Sequence, residues 1–259
     1  MPNEAPMNSN LVLLAGTLPL AVDEQGSGRP YLLLHGGAGP GLMAGLAAGL
    51  APTGRAVLPT HPGFAGQPRP EWFRRVDDLV LGYLALLEQL DLHDVVVVGN
   101  SVGGWLAAEL GLRVSPRVTA LVLLDAVGLD PTPASGPIVD PATLAPAELL
   151  TYSFHDPGRF ASAPTDPAAV AGMAANQQAL HVYAGEPFMH DPGLRARLPG
   201  LALPTLVLWG ASDRIVTPAY GRQFADLIPA AQFHSVPQAG HFPQIEQLDR
   251  VLALLKDFV

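Results

Sequence analysis

The stretch VVVVGNSVGGWLAAELG, residues 95–111, runs from four valines through an asparagine and a serine into helix-forming residues. Unbroken β-branched residues suit a strand covered on both faces, because alternate side chains point to opposite sides and both must then be apolar. The residues after Ser101 suit a helix. A polar pair therefore sits at a strand-to-helix turn, fenced by Gly99, Gly103 and Gly104. Gly99-Asn100-Ser101-Val102-Gly103 is G-x-S-x-G in the context that gives the pattern chemical meaning. A sharp turn lifts the serine hydroxyl clear of the sheet, and glycines admit an approach of strand and helix that a β-carbon would block. The helix starting at Ser101 aims free N–H groups at the same spot and favours negative charge there. A tight turn with an N-cap serine is the plain alternative, and only partner residues decide between the two.

Outward from this turn, short apolar runs alternate with longer segments of helical period, the pattern of a mostly parallel sheet flanked by helices. Strands are expected at LVLLA and LPLAV, then at 31–35, 56–60, 94–99, 118–125, 205–210 and 231–236. Helices are expected at 41–51, 74–91, 101–114, 219–228 and 244–258, the last with Ile245, Leu248, Leu252 and Leu255 on one stripe. Between Leu129 and Pro204 the rhythm breaks, with eight prolines in residues 131–167 and no buried-strand run. Asp166-Pro167 and Asp191-Pro192 each offer an N-cap followed by proline at the first helical position. The expectation is a core domain of residues 1–128 and 205–259 with a helical cap, 129–204, inserted between two core strands. An idle loop of that length is uncommon in a compact domain.

A serine hydroxyl is a poor nucleophile until a base takes its proton, and the base needs a group to fix its tautomer and orientation. Asp213 follows the strand TLVLWG, and His241, in QAGHFPQ, follows the strand AQFHSV. Both lie beyond strand carboxyl ends, the edge where open α/β sheets place their sites. Asp125, ending LVLLD, is the rival acid. The oxyanion formed on attack needs donors: the N–H of Val102, next to the nucleophile, and that of Gly37 in the loop HGGAGPG. That loop lacks the lysine and the glycine spacing of a nucleotide cradle.

The chain has 259 residues, enough for one large domain, and no cysteine, which removes disulfides, thiolate metal sites and a cysteine nucleophile. A net charge of −9 with a single lysine, Lys256, disfavours nucleic acid and anionic membrane as partners. The apolar LVLLAGTLPLAV lacks a preceding basic region, as the first basic residue is Arg29, and no run is long enough to span a bilayer. The expected location is the cytoplasm, with a small-molecule substrate as partner and oligomeric state open. The histidines show no H-x-x-x-H or H-E-x-x-H spacing, so no metal is expected. His35 is expected to anchor the Gly37 loop, His61 to approach the pocket rim, and Asn100 to make a structural hydrogen bond. Candidates for substrate contact are Trp105, Phe242, Phe188 and Met189, with Met173, Leu180 and Tyr183 on the same cap stripe; plain packing is the alternative for each.

The segments HGGAGPG, GNSVGGW, WGASDRIV and QAGHFPQIE together resemble the α/β-hydrolase superfamily, and PTHPGFAGQPRPEW is similar to that family's H-P-G-F-G-x-S loop, with Gln67 in place of serine. The resemblance implies the α/β-hydrolase fold, Ser101 as nucleophile, His241 as base, Asp213 as acid, Gly37 and Val102 as oxyanion donors, and no cofactor. HGG and GNS-x-GG are similar to the meta-cleavage-product hydrolases, which cut C–C bonds. Phe242 stands where those enzymes usually carry tryptophan, and LMAGLAAGL replaces an asparagine of their oxyanion loop. Ser101 excludes the aspartate-nucleophile mechanisms of haloalkane dehalogenases and epoxide hydrolases. The expectation is a serine esterase acting on a small, fairly apolar ester, with C–C hydrolysis or a ligand receptor on the same fold as alternatives.

Overall fold

The computed structural model describes residues 7–160 and 166–259; residues 1–6 of the expected core and 161–165 of the expected cap lie outside the described residues. The strands are β1 (Met7–Leu13), β2 (Leu18–Gln25), β3 (Arg29–Leu34), β4 (Gly54–Pro59), β5 (Val95–Asn100), β6 (Val118–Leu124), β7 (Thr205–Gly210) and β8 (Ala231–Val236). They form one sheet in the order β1-β2-β4-β3-β5-β6-β7-β8. The β1–β2 and β2–β4 pairs are antiparallel and the others parallel, as far as β8 at the edge. This is the mostly parallel sheet of the α/β-hydrolase fold.

The helices are α1 (Ala44–Leu50), α2 (Val76–Gln89), α3 (Val102–Leu112), α4 (Pro146–Ser153), α5 (Pro157–Phe160), α6 (Pro167–Ala184), α7 (Leu194–Arg197), α8 (Pro218–Leu227), α9 (Pro243–Glu246) and α10 (Leu248–Phe258). Strand alternation splits the core in two. Leu32, Val97, Leu123 and Val207 pack under α2, α3 and α8, while Leu33, Val96, Val98 and Leu208 pack under α1 and α10. Every residue of β5 is buried, as four valines in a central parallel strand require.

Most boundaries shift by one to three residues, and two elements differ by more than that. The first strand begins earlier, at Met7, running through the polar Asn8-Ser9-Asn10, and stops at Leu13 because Leu14 and Ala15 turn with positive φ. Its partner is a ladder with β2 at the sheet edge, so no apolar alternation marks it. The expected last helix is two, broken at Gln247 (φ −135°, ψ 47°), and its core stripe carries Val251 and Leu255. Among the described residues no helix is long and apolar enough to cross a membrane.

Helices α4–α7 all lie between β6 and β7. Asp166 caps α6 by accepting from Ala169 N at 3.0 Å. Asn176 of α6 donates to Ala38 O (3.1 Å) and accepts from Ala65 N (2.8 Å), and Tyr183 donates its hydroxyl to Pro62 O (2.8 Å). α7 is tied to α3 by Arg197, which grips the buried Glu109 with two bonds of 2.6 and 2.7 Å and also reaches Asp191. Glu109 is the one charge on α3, a helix buried almost all round.

Candidate active site

Ser101 sits between β5 and α3 with φ 57° and ψ −119°, a conformation that costs a non-glycine residue about 1–3 kcal/mol. The surroundings hold it: Ser101 N donates to Leu124 O (2.9 Å), and its carbonyl accepts from Val127 N (3.2 Å). The glycines are needed for close approach. A β-carbon on Gly99 would lie 2.0 Å from the Gly103 carbonyl oxygen, and one on Gly103 2.1 Å from that of Leu34.

Asp213 lies in the loop after β7 and is buried. Its Oδ1 accepts from Ile215 N (2.8 Å) and Val216 N (3.1 Å), and its Oδ2 accepts from His241 Nδ1 at 2.8 Å. A donating Nδ1 leaves the Nε2 lone pair free to take a proton. The His241 backbone is fastened on both sides: its N–H donates to Ser153 O (2.7 Å), and its carbonyl accepts from Asn100 Nδ2 (3.1 Å). Glu246 braces the same loop, its carboxylate accepting from Gly240 N (2.6 Å), His155 N (3.0 Å) and Asp156 N (2.9 Å). The histidine loop is thereby joined to the end of α4.

Ser101 and His241 line one cavity of about 410 Å³. The hydrogen bonds of the described residues do not include one from Ser101 Oγ to His241; such contacts commonly tighten only with substrate in place. Gly37 borders the cavity under Leu180 of α6, and Val102 opens α3; neither N–H takes part in a backbone hydrogen bond among the described residues. Most of the other walls are apolar, from Leu150 and Phe154 of the α4 region, Met173 and Leu180 of α6, and Ile215, with the polar Ser153, Asn176 and Gln177 among them. Met189 and Phe242 also line it. Among the described residues, none that lines it is Lys, Arg, Asp or Glu.

Trp105 and Phe188 are not among the lining residues, which corrects the expectation that they contact substrate. The Trp105 ring is buried against Gly128 and its Nε1 donates to Glu109 (3.4 Å); Phe188 packs beside His181. Tyr183 is likewise spent on Pro62. His61 is buried rather than at the rim, stacked on His35 at 3.6 Å between ring centres. His61 N donates to His35 Nε2 (3.0 Å), His35 Nδ1 donates to Gly36 O (2.8 Å), and His61 also bonds the Tyr83 hydroxyl. This pair fixes the loop that carries Gly37. Burial pushes His35 down to about 4, and burial together with the neighbouring His35 holds His61 well below the usual histidine range, so both rings are neutral at pH 7.

Asp125, the rival acid, lies in the same cluster. Its Oδ1 accepts from Gly210 N (2.9 Å), and burial together with the neighbouring Asp213 pushes its carboxyl well above the usual carboxylate range. Sequence reasoning missed Glu246, Asn176 and Arg197. An acidic residue just after the histidine loop and a lone glutamate inside an apolar helix were the available signals.

The fold and the strand-end serine, histidine and aspartate place the protein among α/β hydrolases. The model of the alpha/beta hydrolase family matches residues 31–254, and the chain belongs to that family. It is 27% identical over 271 residues to the 2-hydroxy-6-oxo-2,4-heptadienoate hydrolase of Pseudomonas putida, covering 96% of this chain and 95% of that protein. It is 31% identical over 286 residues to a 2-hydroxymuconate semialdehyde hydrolase of Pseudomonas putida, covering 100% and 96%. Among solved structures it is similar to the meta-cleavage product hydrolase CumD (TM-score 0.78, 26% identity, 96% and 97% covered). It is also similar to a thermophilic esterase from Thermogutta terrifontis (TM-score 0.75, 25% identity, 98% and 97% covered).

Proposed function

We propose that this hydrolase cleaves compact, neutral, apolar carboxylic esters through an acyl-enzyme on Ser101. The observation that carries the reading is the cavity wall: Ser101 and His241 open onto a mostly apolar lining whose polar members, Ser153, Asn176 and Gln177, are uncharged, with no Lys or Arg among the described residues. Ser101 Oγ attacks the ester carbonyl as His241 Nε2 takes its proton, and Asp213 holds the imidazole by Nδ1. The tetrahedral oxyanion is met by the N–H groups of Gly37 and Val102, aided by the N-terminus of α3. His241 then protonates the departing alcohol, and water repeats the sequence to free the acid and Ser101. The steps call for no metal or organic cofactor. Residues 129–204 act as the cap, with Met173, Leu180 and Met189 selecting the acyl or alcohol group. The net charge of −9 gives no purchase to nucleic acid.

C–C bond hydrolysis is the second reading, favoured by the likeness to the two Pseudomonas hydrolases. A dienoate substrate carries a carboxylate, and a buried charge without a partner is costly. Parallel assays of p-nitrophenyl butyrate and 2-hydroxy-6-oxo-2,4-heptadienoate separate the two. The ester reading expects the larger kcat/KM for the butyrate; faster turnover of the dienoate would overturn it.

A further inference from the structure

Asp125 follows β6 with its backbone in the left-handed region (φ 45°) and its side chain wholly buried. While Oδ1 accepts from Gly210 N, Oδ2 is buried with no hydrogen-bond donor among the described residues. A carboxylate oxygen of Asp125, one of Asp213 and a ring nitrogen of His241 lie within 4.8 Å of one another. The ionisable groups facing Asp125 are Asp213 from the β7–α8 loop, His241 from the loop after β8, and Glu246 of α9. Two buried carboxyl groups this close do not both ionise; the pair keeps a proton. Asp213 meets two backbone N–H groups and the His241 ring, all of which favour its charged form. Asp125 meets one donor and leaves an oxygen empty, so the proton belongs there.

We propose that Asp125 is a positioning residue that stays protonated at neutral pH and donates its O–H to the Asp213 carboxylate, so that a single negative charge spread over two carboxyl groups stands behind His241. Burial and the Asp213 charge act on Asp125 in the same direction. The donated hydrogen bond fixes the Asp213 side chain and tempers the charge it presents to His241. The kinetic consequences rest on the triad reading above, whereas the location of the proton does not.

Two measurements test this. Infrared difference spectra at pH 7 between wild type and Asp125→Asn should show the loss of a carboxylic-acid carbonyl band; loss of a carboxylate band instead would overturn the proposal. This readout needs no substrate, so it stands even if no ester is hydrolysed. In the second, Asp125→Ala should lose about tenfold or more in kcat/KM on p-nitrophenyl butyrate and move the acid limb of its pH profile upward. Asp125→Asn keeps a neutral donor and should recover most of that loss with the limb back in place. A limb displaced in Asp125→Asn, or left in place in Asp125→Ala, would contradict the shared proton. If Asp125→Ala fails to fold, the asparagine variant and the infrared band decide.

Discussion

In Asp213→Asn the shape is kept and one oxygen becomes an NH₂. The two backbone N–H groups of Ile215 and Val216 already point at Oδ1, so the amide oxygen stays there and the NH₂ turns to His241 Nδ1. Rotating the amide would set NH₂ against two buried N–H donors. Nδ1 must then accept, the ring proton moves to Nε2, and the base faces Ser101 with its lone pair occupied. A wrong tautomer of this kind costs about 10³–10⁴ in kcat, or about 4–5.5 kcal/mol of transition-state stabilisation. KM should change little, because Asp213 does not line the cavity. The assay is kcat and KM for p-nitrophenyl butyrate on variant protein with a wild-type thermal midpoint. A folded variant losing less than tenfold would refute the assignment of Asp213 as the orienting acid.

Removing Arg197 strands Glu109, whose side chain is only 2% exposed, whereas Arg197 is 39% exposed. Arg197→Met should therefore destabilise by about 2–3 kcal/mol, below the usual cost for a fully buried pair, as read by urea unfolding. His35 binds a proton more readily unfolded than folded, so stability is intact above pH 6.5 and falls as pH drops toward its folded value of about 4. His35 alone should account for about 2 kcal/mol lost between pH 7 and pH 5, and His35→Gln should flatten the urea-midpoint profile over that window. Gly99→Ala, with its β-carbon 2.0 Å from the Gly103 carbonyl, must push strand and helix apart. It should cost about 3 kcal/mol or more and abolish ester turnover, checked by thermal melting beside the assay.

The central β5 turn was legible because two independent patterns meet there, an all-buried strand and a glycine-fenced serine. The sequence also brought Asp213 and His241 to the correct strand ends, and Asn100 to a structural bond. Strand-end position alone left Asp125 as a rival to Asp213, since both follow strands that end at the same edge; the Nδ1 contact and the two backbone donors to Asp213 distinguish them. Trp105 stayed open between core packing and substrate contact because helical spacing from Ser101 says which turn a side chain occupies, not which face meets the cavity; the structure has it packed in the core. The Glu246 brace and the Arg197–Glu109 pair join segments far apart in the chain, and such contacts leave no periodic trace. The same holds for Asn176, whose amide reaches two core loops only after α6 has docked on them.

The most direct measurement is mass spectrometry of protein quenched during turnover of p-nitrophenyl butyrate. The account predicts a butyryl adduct on the peptide containing Ser101, absent in Ser101→Ala. Turnover by wild type with the Ser101 peptide unmodified, and undiminished in Ser101→Ala, would contradict it.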